Sequence, residues 1–554
     1  MSRKIGSATA LAFILIGLLA IASKIQKVEA WTGTVYIRAD GSVEPADAPI
    51  LQNGNLYTLT SNITSNAHGI IIEKDNVILD GASYTVEGKH AYATFGIYLV
   101  GRKNVTIRNI KIRAFWYSIR LYDSSNCNNI SENTITDNHV GIAFFSSSSN
   151  NSISENIIRN NTYGIWLKGS PNNIFRNNRI DNNTYTFNLD STILSSFIND
   201  IDTSNTVESK PIYYWINKQD ETVPADAGYV ALINCTHITI QNLNLTENGQ
   251  SILLAYTINS TIIRNKITAK NGDSLYLFES LNNSILGNEI VTAVKHGIWL
   301  LKSSNNRIVG NTIVSNMYGI ETFESSNNII YHNNFINNRF QIYDYAWEDL
   351  EIPPSINVWS DDYPSGGNYW SNYHGADFSC GPYGNETSSD GIGDTPYIIG
   401  ENNTDKYPLM GTYSYFHIAS EQNIQIASNS TISNFQYKGT TVIFNVSGKS
   451  GTLGFCRICI PTALMNGTYK VFVNGKVTSY TLSLYSNSTH NYLYFSYTHS
   501  TKKVIITLNN LGFAIIPYLV TAITIAFTIG TLIAYIGYKT EQKHDSRKAV
   551  QIKT

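Results

Sequence analysis

Four aspartates in a charge-poor chain are spaced as oxygen ligands for a hard cation. Asp390-Gly391-Ile392-Gly393-Asp394 sets two carboxylates around glycines, with Asp377 upstream and Asp405 downstream. Hard cations take carboxylate and carbonyl oxygens, and glycine permits the tight wrap they need. Asp377, Asp390, Asp394 and Asp405 are thus the candidate metal residues, with calcium as the candidate ion. The same residues also read as a turn held by aspartate–backbone hydrogen bonds. No residue stands out as catalytic.

A second acidic group, Asp200, Asp202, Asp220 and Asp226, is interleaved with aromatics. It reads either as the wall of a groove or as a bulged coil with a solvated acidic turn. Inverting glycoside hydrolysis would need two carboxyls ~6.5–9.5 Å apart. Lys295-His296-Gly297 is isolated and reads as a surface turn before a strand. Cys456-Arg-Ile-Cys459 has CxxC spacing inside the strand-like run Leu453 to Ile460. Residues three apart on a strand face opposite ways and lie ~10 Å apart, beyond disulfide reach. No second pair completes a zinc site. Two separately buried thiols are expected there, and Cys127 and Cys235 are expected to be buried within coils.

These residues are carried by a repeat. Asn128-Asn129-Ile-Ser-Glu-Asn133-Thr-Ile135 returns as Asn150-Asn151-Ser-Ile-Ser-Glu-Asn156-Ile-Ile158, and again near Asn282, Asn305 and Asn327. One Asn recurs as Asn133, Asn156 and Asn178, then as Asn265, Asn288, Asn311 and Asn334. A small residue recurs in a second register, as in Gly141, Gly164, Gly297 and Gly319. A period of ~20–50 residues marks a solenoid. Alternating runs such as Gly164-Ile-Trp-Leu-Lys168 read as strands, with no helical periodicity between them. The expected fold is all-β: a right-handed parallel β-helix, its handedness taken from the rule for parallel crossovers. The Asn row reads as an internal ladder or, alternatively, as a ligand-binding row. The period is disturbed between Thr186 and Ser251.

Charged residues make up 14% of the chain and the formal net charge is −2, so nothing points to a nucleic-acid surface. Arg3 and Lys4, the apolar run Ala8 to Ala22 and Val28-Glu29-Ala30 resemble a signal peptide. Residues 1–30 are assigned to it, 31–345 to the β-helix and 346–412 to a closing segment. Residues 413–510 alternate without the period and form a β-sandwich-like stalk, with Asn474-Gly475 as a hairpin turn. Residues 511–538, uncharged from Phe513 to Tyr538, are expected as one transmembrane helix, and the basic tail 539–554 as cytoplasmic. The body would lie outside the cell, which suits sequons such as Asn62-Ile-Thr and Asn487-Ser-Thr and a glycoprotein.

Gly367-Asn-Tyr-Trp370-Ser-Asn-Tyr373, then Asp390-Gly-Ile-Gly-Asp394-Thr-Pro-Tyr397 and Asp405-Lys-Tyr-Pro408-Leu409, resemble the closing signature of NosD-type β-helix proteins. The coils resemble that family's repeats over about residues 60–412, and the signal, sandwich and anchor resemble its archaeal cell-surface versions. The resemblance implies a periplasmic factor delivering copper to nitrous-oxide reductase. Copper favours clusters of His, Met or Cys, and here four Met and eleven scattered His show no pair at ligand spacing. Fold and extracytoplasmic placement carry over; copper binding does not. The expectation is a membrane-anchored binding or scaffold protein contacting polysaccharide or surface-layer components. The alternatives are a polysaccharide hydrolase or lyase and a copper accessory protein.

Overall fold

A computed structural model describes residues 30–248, 251–269, 272–291, 294–349, 351–419, 422–509, 529–537 and 539–540. The signal-like segment, most of the apolar run Phe513 to Tyr538 and the tail from 541 lie outside the described residues. Residues 529–537 are helical, and among the described residues no helix is long and apolar enough to cross a membrane. The chain divides into two units, residues 1–376 with 393–409 and residues 377–392 with 410–554.

The first unit is a parallel β-solenoid. A coil contributes two three-residue strands and one longer strand, as in Thr106–Arg108, Lys111–Arg113 and Tyr117–Tyr122. Each pairs in parallel with its counterpart one coil on: Ile107 with Ile130, Ile112 with Ile135, Ile119 with Ile142. The 22- or 23-residue period is therefore the length of one coil. Inward isoleucines stack into a fully buried column, where their branched side chains suit the pleated surface.

Turns between strands place a residue in the left-handed region, such as Glu132 at φ 60° and Glu155 at φ 59°. The Asn that follows is buried, and its amide serves the neighbouring coil. Asn265 donates its backbone N–H to Asn288 Oδ1 at 2.9 Å, and Asn288 Nδ2 donates to Ile262 O at 2.9 Å. The recurring Asn is an internal ladder. Its rung after Asn311 is Asn333, not Asn334: Asn311 N donates to Asn333 Oδ1, while Asn334 opens the next strand. The small-residue register has a steric cause. A Cβ on Gly141 would sit 2.3 Å from the Gly164 carbonyl oxygen of the next coil.

The solenoid is two stacks rather than one. After Thr206–Val207 the chain reverses into Lys210–Ile216, and Ile212 to Ile216 then pair in parallel with Tyr229–Ile233. Strands Tyr229–Ile233, Ile252–Ala255 and Leu275–Phe278 are buried throughout. Val230, Leu232, Leu254 and Leu277 fill the second core. Tyr229, Ala231, Leu253 and Phe278 join the first. The outer face of the second stack thus closes the end of the first, where a bare last coil would expose apolar core and strand edge. The disturbed segment from Thr186 to Ser251 is this corner.

The second unit holds two five-stranded sheets, antiparallel throughout, around Val442, Phe444, Ile458, Phe495, Val504 and Ile506. Asn474 and Gly475, at φ 50° and 75°, turn the hairpin that pairs Val473 with Lys476. Cys456, Cys459 and Cys235 are buried free thiols, as read. Cys127 is exposed instead, because it occupies a left-handed turn position at φ 59° between strands.

Asn288→Ala should strand the Asn265 N–H and the Ile262 carbonyl in the core. Loss of about 3 kcal/mol of unfolding free energy is expected in a urea titration, against less than about 0.5 kcal/mol for an exposed control such as Lys266→Ala.

Candidate functional site

In-register coils stack outward residues one strand spacing, ~4.8 Å, apart. On the outer face of the first stack's long-strand sheet one column runs Tyr98, Arg120, Ala143, Trp166, Asn188. Its neighbour runs Phe95, Tyr117, Val140, Tyr163, Tyr185. The rings pack on each other: Phe95 on Tyr98 at 4.3 Å, Tyr163 on Tyr185 at 4.7 Å and Phe145 edge-on to Trp166 at 5.3 Å between centroids. Tyr98, Tyr117, Tyr122, Tyr163 and Trp166 are half-buried, so the face presents apolar ring surface to solvent. Beside it runs an open groove of about 830 Å³ lined by Trp116, Asp137, His139, Asn160 and Asn182. His139 packs on Trp116 at 3.9 Å and on Tyr163 at 5.5 Å, which joins groove and face.

Asp273, His296 and Glu321 stand on successive coils of the second stack. His296 Nδ1 lies 2.6 Å from Asp273 Oδ1, and Nε2 lies 2.7 Å from Glu321 Oε2. Burial alone would push the imidazole down. The hydrogen bonds and charges of the two carboxylates outweigh it and hold His296 protonated up to about 9. Its ring stacks on Trp299 at 5.0 Å and Tyr318 at 5.3 Å. The adjacent Lys295 ammonium lies 5.6 Å from the Tyr185 ring centroid, so this triad borders the aromatic face of the first stack. His296 is therefore a buried strand residue, not the surface turn its isolated tripeptide suggested. Asp273 is one coil length away in sequence and was legible as its neighbour. Glu321 was not, because it occupies the column of Trp299.

The four candidate metal residues divide between the units. In the second, Asp377 accepts the backbone N–H groups of Asp390 and Gly391, each at 2.9 Å. Asp390 accepts the Ile392 N–H at 2.9 Å and lies 3.6 Å from Arg457 Nη1. In the first, Asp394 is exposed. Asp405 is fully buried at the end of the Asn ladder. Asn333 donates to Asn368 Oδ1, Asn368 N donates to Asp405 Oδ2 at 2.7 Å, and the Trp370 indole donates to the same oxygen at 2.8 Å. Burial pushes the Asp405 carboxyl up to about 7 against these donors. A second ladder ends alike, with Asn357 N and the Trp359 indole both donating to Asn403. Among the described residues no group of three or more His, Cys, Asp or Glu side chains is placed to hold a metal ion.

The second acidic group serves several partners. Arg176 pairs with both Asp200 and Asp202, Asp220 faces His237 at 3.4 Å, and Asp226 accepts the Tyr213 hydroxyl at 2.9 Å.

The family model described as periplasmic copper-binding protein (NosD) matches residues 32–228 and 225–375. The two matches meet at the corner between the stacks. No curated protein matches. A mutant of the periplasmic alginate epimerase AlgG is similar at 14% identity, over 59% of this chain and 76% of that one, with a TM-score of 0.26. The mannuronan C-5 epimerase AlgE4 A-module of Azotobacter vinelandii is similar at 15% identity, over 53% and 77%, with a TM-score of 0.22. A tailspike protein of E. coli bacteriophage HK620 in complex with pentasaccharide is similar at 9% identity, over 86% and 87%, with a TM-score of 0.27.

The His296 cluster does not fit copper. Both nitrogens of His296 meet carboxylate oxygens, so the protonated ring offers no lone pair, and its neighbours are hard oxygen donors rather than the soft or imidazole sets copper selects.

A folded-state value raised from 6.5 to about 9 makes the triad's contribution complete below pH ~6.5 and lost as pH rises through 9. Wild-type unfolding free energy should fall by about 3 kcal/mol across that window, read by urea titration at each pH. His296→Gln should be less stable at pH 6 and should lack this decline; a wild-type-like profile in the variant would count against the assignment.

Proposed function

The chain belongs to the NosD family, and on that premise we propose that it is an extracytoplasmic β-helix protein that binds or scaffolds polysaccharide. One observation carries the reading: the ladder of packed rings on the outer face of the first stack, Tyr98, Tyr117, Tyr163 and Trp166 among them half-buried, continuous with an open groove lined by amides, Trp116 and His139. A contiguous apolar patch kept at a monomer's surface marks an interaction site, and flat ring faces beside amide groups suit the mixed C–H and hydroxyl faces of sugars.

The placement outside the cytoplasm is supported by Arg3, Lys4 and the apolar run that follows. Attachment to the membrane is supported by the uncharged run Phe513 to Tyr538 and its basic tail. An enzymatic reading is less well supported. The carboxylates that converge, Asp273 and Glu321, both close on the His296 imidazolium rather than on open space.

The test is affinity electrophoresis of the purified chain through gels containing single polysaccharides, with and without calcium. Wild type should be retarded by at least one of them. Trp166→Ala and Tyr163→Ala should each weaken binding about tenfold without a change in thermal midpoint beyond a few degrees. No retardation by any polysaccharide would sink the reading. New reducing ends or unsaturated products would make the protein an enzyme. A calcium requirement would reopen the calcium reading of the candidate aspartates.

A further inference from the structure

The aromatic face contains one arginine. Arg120 takes the position between Tyr98 and Ala143 in the outward column. Its guanidinium carbon lies 4.9 Å from the Tyr122 ring centroid, 5.0 Å from Tyr117, 5.2 Å from Phe95 and Phe145, and 5.6 Å from Tyr98. Five rings therefore surround one charge. Among the described residues it has no carboxylate partner, and its buried Nε has no hydrogen-bond acceptor.

The other arginines make this position unusual. Arg38, Arg102, Arg108, Arg113, Arg176 and Arg179 each pair with a carboxylate. Arg159, Arg264, Arg307 and Arg339 lack one but are exposed to water. Arg120 alone among these is half-buried without a counter-charge. Ring faces offset only part of the cost of desolvating a guanidinium. A charge kept where water is restricted and no internal anion is supplied is poised for an external one. The planar fork of Arg is the side chain best matched to a two-oxygen anion.

We propose that Arg120 makes the aromatic face selective for acidic polysaccharide, its guanidinium pairing with a uronate carboxylate or a sulfate ester while neighbouring sugar rings lie on Tyr98 and Trp166. This rests on the polysaccharide-binding reading and adds the charge class of the ligand. The coils present one outward residue per column at each ~4.8 Å step, so a chain lying along the column meets Arg120 and the flanking rings in succession.

The full chain is titrated with polygalacturonate, dextran sulfate and neutral dextran at low and high NaCl, followed by tryptophan fluorescence. Wild type should bind an acidic polymer at least tenfold more tightly than dextran, with the preference shrinking in high salt. Arg120→Gln should lose that preference; Arg120→Lys should retain part of it. Polygalacturonate against dextran sulfate separates carboxylate from sulfate as the anion. Equal affinity of wild type for acidic and neutral polymers, or an undiminished preference in a folded Arg120→Gln, overturns the inference and leaves the polysaccharide reading standing. Failure of wild type to bind any polymer overturns both.

Discussion

A polypeptide that turns three times in every coil must bury backbone at each corner, and a strand ladder cannot satisfy the N–H groups there. The structure depends on how those groups are served. A buried N–H left without an acceptor costs about 1–3 kcal/mol, and the first unit has one at each of many corners. The Asn amide removes that cost by accepting the N–H of one coil and donating to a carbonyl of another, as Asn288 does between Asn265 and Ile262. Each rung requires the next, so the ladder ties neighbouring coils into one register.

That register has consequences on the outside. Because the coils cannot slip, outward residues fall into fixed columns, and chemistry can be written one residue per coil. Tyr163 over Tyr185, and Asp273 beside His296 beside Glu321, exist as sites only because the ladder holds the coils in step. The core side is isoleucine, leucine, valine and phenylalanine and says little about role. The columns facing outward differ between the stacks: aromatic with a single arginine in the first, aromatic with a buried ion triad in the second.

The same hydrogen-bond logic closes the ladder. A last rung has no further coil to donate to, so its N–H needs an acceptor from elsewhere. Asp405 supplies it to Asn368 and Asn403 supplies it to Asn357, each also taking the indole of the tryptophan two residues on. The closing motif that resembles a calcium loop in composition is, at Asp405, a terminal cap for buried amides. Aspartate–backbone bonding was readable; that the donors to Asp405 are the last rung of the ladder and an indole was not.

What the sequence determined by itself was everything encoded at the coil period: the parallel solenoid, the internal Asn ladder, the small residues required by a close carbonyl, and, from alternation and Asn474-Gly475, the sandwich hairpin. These contacts join residues a fixed distance apart, so repetition reveals them. Tertiary structure alone decided what joins residues without a fixed offset. Leu253 and Phe278 lie in the core of a stack that ended some fifty residues or more earlier; their unbroken apolar runs are how a strand buried on both faces reads, but nothing in them names the partner. Lys295 reaches Tyr185 across the same corner. Asn333 rather than Asn334 is the rung because that coil is one of 22 residues rather than 23, and Glu321 completes the triad from the column of Trp299 rather than from that of His296. Periodicity predicts which residues repeat; packing at the corner and the length of each individual coil decide which of them meet.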